Sequence, residues 1–323
     1  MKVKGCKAIL VTGNAGFIGS HLSKALLDKD YRVIGVDNFN NYYSPKVKEK
    51  NIKDFLNNKN FKQYKLDILE AEKLEKVFQD NKIDLIIHLA ARAGVRPSLK
   101  NPELYGKVNV QGTKNLLEIV KKFKIKRFIF ASSSSVYADQ KKIPFLEDDV
   151  LQKPVSPYAE TKQKGEKLCQ EYAKKYEIKM TILRFFTVYG PKGRPDMAPY
   201  LFTKALMEDK TITKFGDGSS SRDYTYIDDI IKGIVKAVEK PFDLEIINLG
   251  NNKPVKLNDF IELVEKLTDK KMKIKVRSRQ IADVLRTFAD ISKAKKLLNW
   301  QPKTDLETGM KKFIEWYINQ RKT

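Results

Sequence analysis

The sequence predicts an α/β protein in which a doubly wound parallel sheet carries a second, smaller α/β lobe. Hydrophobic residues make up 41% of the 323 residues, enough for one large core or two modest ones. Up to about residue 184, short apolar runs alternate with amphipathic segments, and a glycine-rich turn follows the first run. Strands that alternate with helices form parallel sheets covered by helices on both faces, so these observations favour that fold class.

The predicted sheet contains six strands before residue 184. Each strand is a short run rich in Val, Ile, Leu and Phe, bounded by polar or glycine residues. The runs cover residues 8–11, 32–36, 61–66, 83–89, 127–131 and 180–183.

A change of pattern after Arg184 predicts the second lobe. Prolines at 191, 195 and 199 and a Gly/Ser turn at 216–221 interrupt the alternation. The run at 245–249 lies between two helical segments and resembles one more strand of the first sheet. We therefore expect a larger domain over residues 1–184, to which residues from about 224 to 250 return, and a smaller lobe formed mostly by residues 185–323.

The chain carries a formal net charge of +23 at pH 7. The excess lies in short groups, such as residues 121–126 and 270–275, which is typical of solvated faces, so we predict no nucleic-acid partner. No segment has the ~18 uncharged apolar residues that cross a bilayer, and the first apolar run is too short for a signal peptide. We expect a cytoplasmic protein with no membrane partner.

Cysteine and histidine are scarce. Cys6 and Cys169 form no CxxC motif, which argues against a disulfide framework or a zinc site. With only two histidines, His21 and His88, a multi-histidine metal centre or a histidine-based triad has little sequence support, and we predict no metal. The chemistry must use other acids and bases.

Three glycines follow the first strand and open a predicted helix. Glycine lets the backbone approach a pyrophosphate, and a helix N-terminus offers N–H donors and a favourable dipole. The motif predicts a dinucleotide site and reads Gly13-Asn14-Ala15-Gly16-Phe17-Ile18-Gly19.

Asp37 ends the second strand, 18 residues after Gly19. A carboxylate there would accept hydrogen bonds from the adenine ribose hydroxyls. Against a 2′-phosphate it would set like charges together without compensation, which favours NAD over NADP. The alternative is that Asp37 and Asn38 only cap a turn.

Tyr158 and Lys162 lie one helical turn apart in a helix signalled by Ser156 and Pro157. A nearby lysine and an oxidised nicotinamide would lower the pKa of the phenol from its usual ~10 and allow base catalysis. The serines that follow the fifth strand, including Ser133, are expected at the same edge of the sheet.

Together these motifs resemble the extended short-chain dehydrogenase/reductase family, in its nucleotide-sugar epimerase and dehydratase group. The resemblance covers nearly the whole chain. It extends to Asp67-Ile68, Leu89-Ala-Ala-Arg92, Asn109-Val-Gln-Gly-Thr113, Leu183-Arg-Phe-Phe186, Arg222-Asp-Tyr-Thr-Tyr226-Ile-Asp-Asp229, Asp283 and Ala289-Asp290.

The resemblance implies a Rossmann fold that keeps NAD tightly bound, with Tyr158 as the base, Lys162 on the nicotinamide ribose and Ser133 as a hydroxyl relay. Ser134 is a further catalytic candidate. Arg222 and Asp283 would hold the uridine diphosphate. The implied cofactor-binding residues are Gly13, Gly16, Phe17, Ile18, Gly19, Asp37, Asn38, Asp67, Ile68, Leu89, Ala90, Ala91, Asn109, Tyr158 and Lys162.

Within the group, the sequence resembles members that invert C4 of a UDP-hexuronic acid, converting UDP-glucuronate to UDP-galacturonate. Related 4,6-dehydratases carry an Asp-Glu pair where this chain has Ser134 and Ser135, so dehydration lacks its acid and base. Gln280 stands where glucose epimerases tend to have arginine. The segments that resemble these members more than UDP-glucose 4-epimerases are 91–96, 41–43, 185–191 and 193–198.

Arg194 and Thr187 are the candidates for binding the uronate carboxylate, because arginine can hold a carboxylate with two parallel hydrogen bonds. The alternative is that Arg194 grips the diphosphate or caps its loop. Arg92 and Arg96 are further candidates.

Three other functions stay open at this point. The 4-keto intermediate is a β-keto acid, so a UDP-glucuronate decarboxylase is one alternative. The others are a 4-epimerase of UDP-glucose or UDP-N-acetylglucosamine and a non-catalytic sensor of NAD or a nucleotide sugar. The resemblance also implies a homodimer formed by helices near residues 101–124 and 156–176.

The chain departs from its relatives at Ala138 and Ala282, where they have glycine. Alanine favours negative φ, so we expect the local backbone to differ if either site is a left-handed turn.

Overall fold

The computed structural model describes residues 7–279 and 283–322. Its strands are β1 Ala8–Thr12, β2 Arg32–Asp37, β3 Phe61–Lys65, β4 Leu85–His88, β5 Arg127–Ser133, β6 Lys179–Phe185, β7 Thr187–Tyr189, β8 Ile212–Phe215, β9 Ser221–Tyr226, β10 Leu244–Leu249, β11 Pro254–Lys256 and β12 Ile274–Arg277. Its helices are α1 Phe17–Leu27, α2 Pro45–Ile52, α3 Ala71–Gln79, α4 Val95–Lys100, α5 Pro102–Tyr105, α6 Gly112–Lys122, α7 Pro157–Tyr176, α8 Ala198–Met207, α9 Ile227–Glu239, α10 Leu257–Thr268, α11 Ser292–Leu298 and α12 Leu306–Lys322. Shorter helical turns cover Lys53–Phe55 and Ser134–Tyr137, and a π-helical segment covers Gly106–Gln111.

Seven strands form one parallel sheet in the order β10-β6-β5-β4-β1-β2-β3. Successive residues of β1 point to opposite faces, so Ile9 and Val11 belong to one core while Ala8 and Leu10 belong to the other. A strand with both faces covered has to be apolar throughout, which explains the continuous apolar runs. The predicted doubly wound parallel sheet is confirmed.

The remaining strands form two small sheets, with strand orders β11-β9-β7 and β12-β8. β10 lies between β9 and β11 in the sequence but pairs in parallel with β6, so it extends the main sheet. The helix before it, α9, packs against α1. The division at residue 184 stays a prediction.

Polar site residues lie at the carboxyl ends of two strands, and β5 runs further than its predicted apolar run. β2 includes Asp37, and β5 continues through Ser132 and Ser133. Parallel pairing of β5 with β6 as far as Ser133 and Phe185 extends the strand past its apolar run. These side chains are therefore held by the sheet ladder rather than by loops.

Ala138 adopts φ +54° and ψ −134°, a conformation that L-residues rarely occupy. The expectation that alanine would change the local backbone is wrong. The Ala138 N–H donates a hydrogen bond to Ser135 O at 3.1 Å, and the buried neighbours Val136 and Tyr137 hold the turn. The strain is carried at Ala138 itself. Ala282 lies outside the described residues.

Within the described ranges, no helix combines the length and the apolar character needed to cross a membrane.

Candidate active site

A cavity of about 580 Å³ opens at the carboxyl ends of the main-sheet strands and reaches β7 and β9 of the small sheet. Carboxyl ends are where open parallel sheets bind ligands. The cavity brings together most of the predicted site residues, namely Gly13, Gly16, Phe17, Ile18, Gly19, Asp37, Asn38, Asp67, Ile68, Leu89, Ala90, Ala91, Arg92, Arg96, Ser133, Ser134, Tyr158, Lys162, Thr187, Arg194, Arg222 and Asp283.

The glycine turn forms the floor of one end of this cavity. Gly13 has φ +70°, and a Cβ there would lie 2.9 Å from the Ala90 nitrogen. A Cβ on Gly19 would lie 2.1 Å from Gly13 O, so the turn and α1 could not approach so closely. No side chain of the described residues caps α1 at Gly16, which leaves first-turn N–H groups for a ligand. This donor set fits a dinucleotide pyrophosphate.

Asp37 lies at the end of the site where an adenine ribose would bind. Its Oδ1 accepts the Phe39 N–H at 2.8 Å. The Lys48 Nζ lies 3.5 Å from the same oxygen, and both side chains are buried. The expectation of a carboxylate without a compensating cation is therefore wrong. A lysine in the second turn of α2 carries no sequence signal of this contact, because exposed helix faces commonly carry lysine.

Asn109 lies behind the cavity wall and not on it. Its Oδ1 accepts the Arg92 N–H at 2.7 Å, and its Nδ2 donates to Arg92 O and to Thr161 Oγ1, both at 3.0 Å. These contacts give Asn109 a positioning role, and its predicted contact with the cofactor stays a prediction. Its side chain holds the segment that begins at Leu89 against α7.

His88 supports the same wall. Thr113 Oγ1 donates to Asn109 O, so it accepts a hydrogen bond from His88 Nε2 at 3.0 Å. His88 Nδ1 in turn accepts the Thr12 hydroxyl at 2.7 Å. Burial, together with the charge of Lys162, lowers the pKa of His88 to about 3. The ring is neutral and structural.

Lys162 points toward β5. Its Nζ donates to Ala131 O at 2.7 Å, and the side chain is buried. Burial lowers the pKa of Lys162 to about 8, while the Cys169 and Glu166 side chains act in the opposite direction. Lys162 still carries a charge near neutral pH and is held at the cavity.

The Tyr158 phenol lines the cavity, and its burial raises its pKa. A hydrogen bond with the Ser133 side chain and the positive charge of Arg194 lower that pKa. Arg194 is thus a second cation that acts on Tyr158, and the effect predicted for Lys162 stays a prediction. The positive charge of an oxidised nicotinamide would act in the same direction when NAD is bound.

Ser133, Ser134 and Ser135 form a hydroxyl cluster beside Tyr158. The Ser135 N–H donates to Ser133 Oγ at 3.2 Å and so orients it. The buried Ser135 Oγ has no hydrogen-bond partner among the residues that the structure describes. A buried hydroxyl without a partner is costly, which makes Ser135 a candidate ligand group that the sequence analysis missed.

Arg194 is held by an acidic neighbour. Its Nε and Nη2 lie 3.0 and 2.6 Å from the two carboxylate oxygens of Asp196, which also accepts the Tyr42 hydroxyl at 3.0 Å. The Nε–Nη2 edge of the guanidinium is therefore occupied, while both Nη1 hydrogens and one Nη2 hydrogen remain for a ligand. Arg194 lines the cavity, and its predicted contact with a uronate carboxylate stays a prediction.

The far end of the cavity holds the residues predicted to bind uridine diphosphate. Asp283 pairs with Arg96, whose Nη2 lies 2.7 Å from Oδ2, although 187 residues separate them. Arg222 donates to Ser221 O at 2.9 Å, and burial lowers its pKa. Thr187 begins β7 and lines the cavity. Gln280 lies outside the described residues.

Comparison with known proteins agrees with this geometry. A profile of the NAD dependent epimerase/dehydratase family matches residues 9–250. The chain is 47% identical to a UDP-glucuronate 4-epimerase from Thermodesulfobacterium geofontis over 95% of each protein. The solved structure of UDP-glucuronic acid 4-epimerase from Bacillus cereus, in complex with UDP-glucuronic acid and NAD, gives a TM-score of 0.91 at 41% identity and covers 97% of this chain and 99% of that one. The UDP-glucose 4-epimerase from Thermotoga maritima, solved with UDP-glucose, gives 0.90 at 33% identity with the same coverage.

Proposed function

Because the chain belongs to the NAD dependent epimerase/dehydratase family, we propose that it interconverts UDP-glucuronate and UDP-galacturonate by inversion at C4. The enzyme is an NAD-dependent isomerase. One observation carries the choice of substrate: the sugar end of the cavity combines Tyr158 with a cluster of serine hydroxyls and the charge of Arg194. Hydroxyls and a cation suit a carboxylated sugar.

The reaction follows from the roles of three side chains. Tyr158, as phenolate, accepts the proton of the sugar 4-hydroxyl, and the Ser133 hydroxyl bridges the two oxygens. Lys162 fixes the end of β5 through Ala131 O and supplies positive charge. When bound, NAD supplies a reversible hydride acceptor for C4. The transient 4-keto sugar turns over, regains the hydride on its opposite face and takes back the proton from Tyr158.

The carboxylate position is proposed from the unused donors. Ser135 and Thr187 both line the sugar end, and the Ser135 hydroxyl is buried without a described partner. Two hydroxyl donors would bind the carboxylate while Arg194, held by Asp196, supplies charge.

The test is product analysis with UDP-glucuronate, UDP-glucose and UDP-N-acetylglucosamine supplied in parallel. We expect UDP-galacturonate from the first and much slower turnover of the neutral sugars. Release of CO2 with a UDP-pentose would identify a decarboxylase instead. Faster epimerisation of a neutral sugar would move the assignment to that substrate, and bound NAD without any turnover would indicate a sensor.

A homodimer is part of the proposal. The helices α6 and α7 pack against each other and against the π-helical segment before α6. Two copies of the chain that meet through these helices would form a four-helix interface. Light scattering on the eluted protein should give twice the chain mass. A monomer at micromolar concentration would contradict it.

The proposed location is the cytoplasm. Cys169 is a buried free thiol, as is usual for proteins of reducing compartments. Fractionation of cells expressing the chain should recover it with the cytoplasmic proteins, and recovery outside the cell would contradict the proposal.

A further inference from the structure

The adenosine end of the cavity contains a buried ion pair that the sequence motifs do not include. Asp37 is 7% exposed and Lys48 is 5% exposed, and their charged atoms are 3.5 Å apart. Both side chains line the cavity. Lys48 reaches Asp37 because α2 begins at Pro45 and places the lysine in its second turn, with the Nζ also 5.3 Å from the Tyr43 ring centre.

Burial makes each member of this pair depend on the other. Desolvation lowers the pKa of Lys48, the charge of Asp37 raises it, and Arg92 lowers it. An ammonium group in such a place is costly unless an anion faces it. Asp37 is that anion, and its Oδ1 is also fixed by the Phe39 N–H.

The ion pair changes the electrostatics of cofactor selection. A lone carboxylate would repel the 2′-phosphate of NADP, but a neighbouring ammonium attracts the same phosphate. The two effects oppose each other at one point of the cavity. Rejection of NADP therefore requires that the ammonium is already occupied.

We propose that Asp37 and Lys48 select the cofactor as a pair, in which Asp37 occupies a latent 2′-phosphate site formed by Lys48. Removal of the carboxylate then leaves an ammonium in the position to bind the phosphate. The proposal rests on the use of NAD in the proposed function, but not on which sugar is turned over.

The test is a double-mutant cycle with Asp37→Asn, Lys48→Met and the double variant. Each purified protein is incubated with equal concentrations of NAD and NADP, and the nucleotides released on denaturation are quantified. We expect Asp37→Asn to raise the NADP to NAD ratio by about tenfold or more, the effect of one charge-assisted hydrogen bond. The double variant should lose most of this gain.

Lys65 provides the matched control. It lies opposite Asp37 in the register of β2 and β3, it is exposed, and its Nζ is 5.9 Å from the Phe39 ring centre. Asp37→Asn with Lys65→Met should keep the gain in NADP, because an exposed lysine is screened by water.

Two outcomes would overturn the proposal. One is an equal NADP gain in Asp37→Asn with and without Lys48. The other is no gain in either Asp37→Asn or Asp37→Ser, provided that both keep a cooperative melting transition. If the unaltered protein does not turn over UDP-glucuronate but the variants give the expected nucleotide ratios, the proposed substrate is contradicted and the proposed role of Asp37 and Lys48 is not.

Discussion

At the residue scale, the proposed chemistry depends on the phenol of Tyr158. Its ring meets that of Tyr105 edge to face, with centroids 6.3 Å apart, and Tyr105 OH donates to Ala93 O at 2.6 Å. Tyr158 lines the cavity and hydrogen-bonds the Ser133 hydroxyl, whereas Tyr105 packs against it and is not among the described residues that line the cavity. We therefore expect Tyr158 to carry the reacting phenol and Tyr105 to have a structural role.

Replacement of Tyr158 by phenylalanine should remove turnover and spare the fold. We expect Tyr158→Phe to lower kcat by about 100-fold to 10,000-fold, since a general acid and base is lost, while the nucleotide content is retained. Tyr105→Phe is the control and should lose less than about tenfold. Near-normal turnover in Tyr158→Phe would exclude the phenol as the base.

The charge of Arg194 should set the pH dependence. Arg194 lowers the pKa of Tyr158, and the reaction needs the phenolate, so Arg194→Met should move the acidic limb of kcat/KM to higher pH. Arg194→Lys keeps a positive charge and should move the limb less. An unchanged limb in Arg194→Met would show that this charge does not act on Tyr158.

Ala138 offers a stability prediction at a single position. Glycine adopts positive φ without the steric cost that alanine bears, but loses more backbone entropy on folding. The balance predicts that Ala138→Gly raises the free energy of unfolding by about 1 kcal/mol. Denaturant unfolding with NAD absent measures this, and a decrease would mean that the turn is not strained.

At the element scale, α7 is joined to the sheet through one face. Tyr158, Lys162 and Glu166 follow at intervals of four residues and so lie on the same side of the helix. Glu166 binds Arg184 of β6 through two hydrogen bonds of 2.9 and 2.8 Å and accepts the Ser132 hydroxyl of β5 at 2.5 Å. This buried network aligns Ala131 and Ser133 with the catalytic face of α7.

Glu166→Gln should therefore destabilise the protein and disturb the site together. Loss of one member of a buried ion pair costs about 3–5 kcal/mol, because the other charge is left without a partner. Glu160→Gln on the same helix is the control: its pair with Lys164 is exposed, so it should change stability by less than about 1 kcal/mol. Equal effects of the two variants on unfolding would refute the role of the network.

At the scale of the whole molecule, contacts between distant segments close the cavity. Asp283 pairs with Arg96 at the start of α4, and the guanidinium of Arg96 lies 4.2 Å from the ring centre of Phe215 in β8. Tyr42 donates to Asp196 on the opposite side. A ligand in this cavity would contact both the main sheet and the small sheet that contains β7 and β9, so binding should stabilise their arrangement.

Removal of NAD should consequently lower the melting temperature. A ligand that binds only the folded state adds about 2.7 kcal/mol at one hundred times its Kd. Protein stripped of nucleotide should melt earlier, and added NAD should restore the original value, as calorimetry can measure. Addition of NADP should restore much less, and no difference between stripped and reloaded protein would contradict tight binding.

The sequence alone determined the features that depend on neighbouring residues. The apolar runs predicted the seven strands of the parallel sheet, including β10, because a strand buried on both faces must be apolar. Gly13 and Gly19 predicted the close turn, and Ser156 with Pro157 predicted the start of α7, where Ser156 Oγ accepts the Ala159 N–H. These signals are local, so periodicity and capping chemistry are sufficient to find them.

Only the tertiary structure decided which charges face each other. Lys48 lies opposite Asp37, Asp196 pairs with Arg194 and Asp283 pairs with Arg96, and the sequence predicts none of these three contacts. A side chain in a sequence shows its chemistry but not its distance from a partner, and electrostatic effects depend on that distance and on burial. The types of side chain at the site could therefore be found from the local sequence. Their charged neighbours and hydrogen-bond partners depend on the packing of segments up to 187 residues apart.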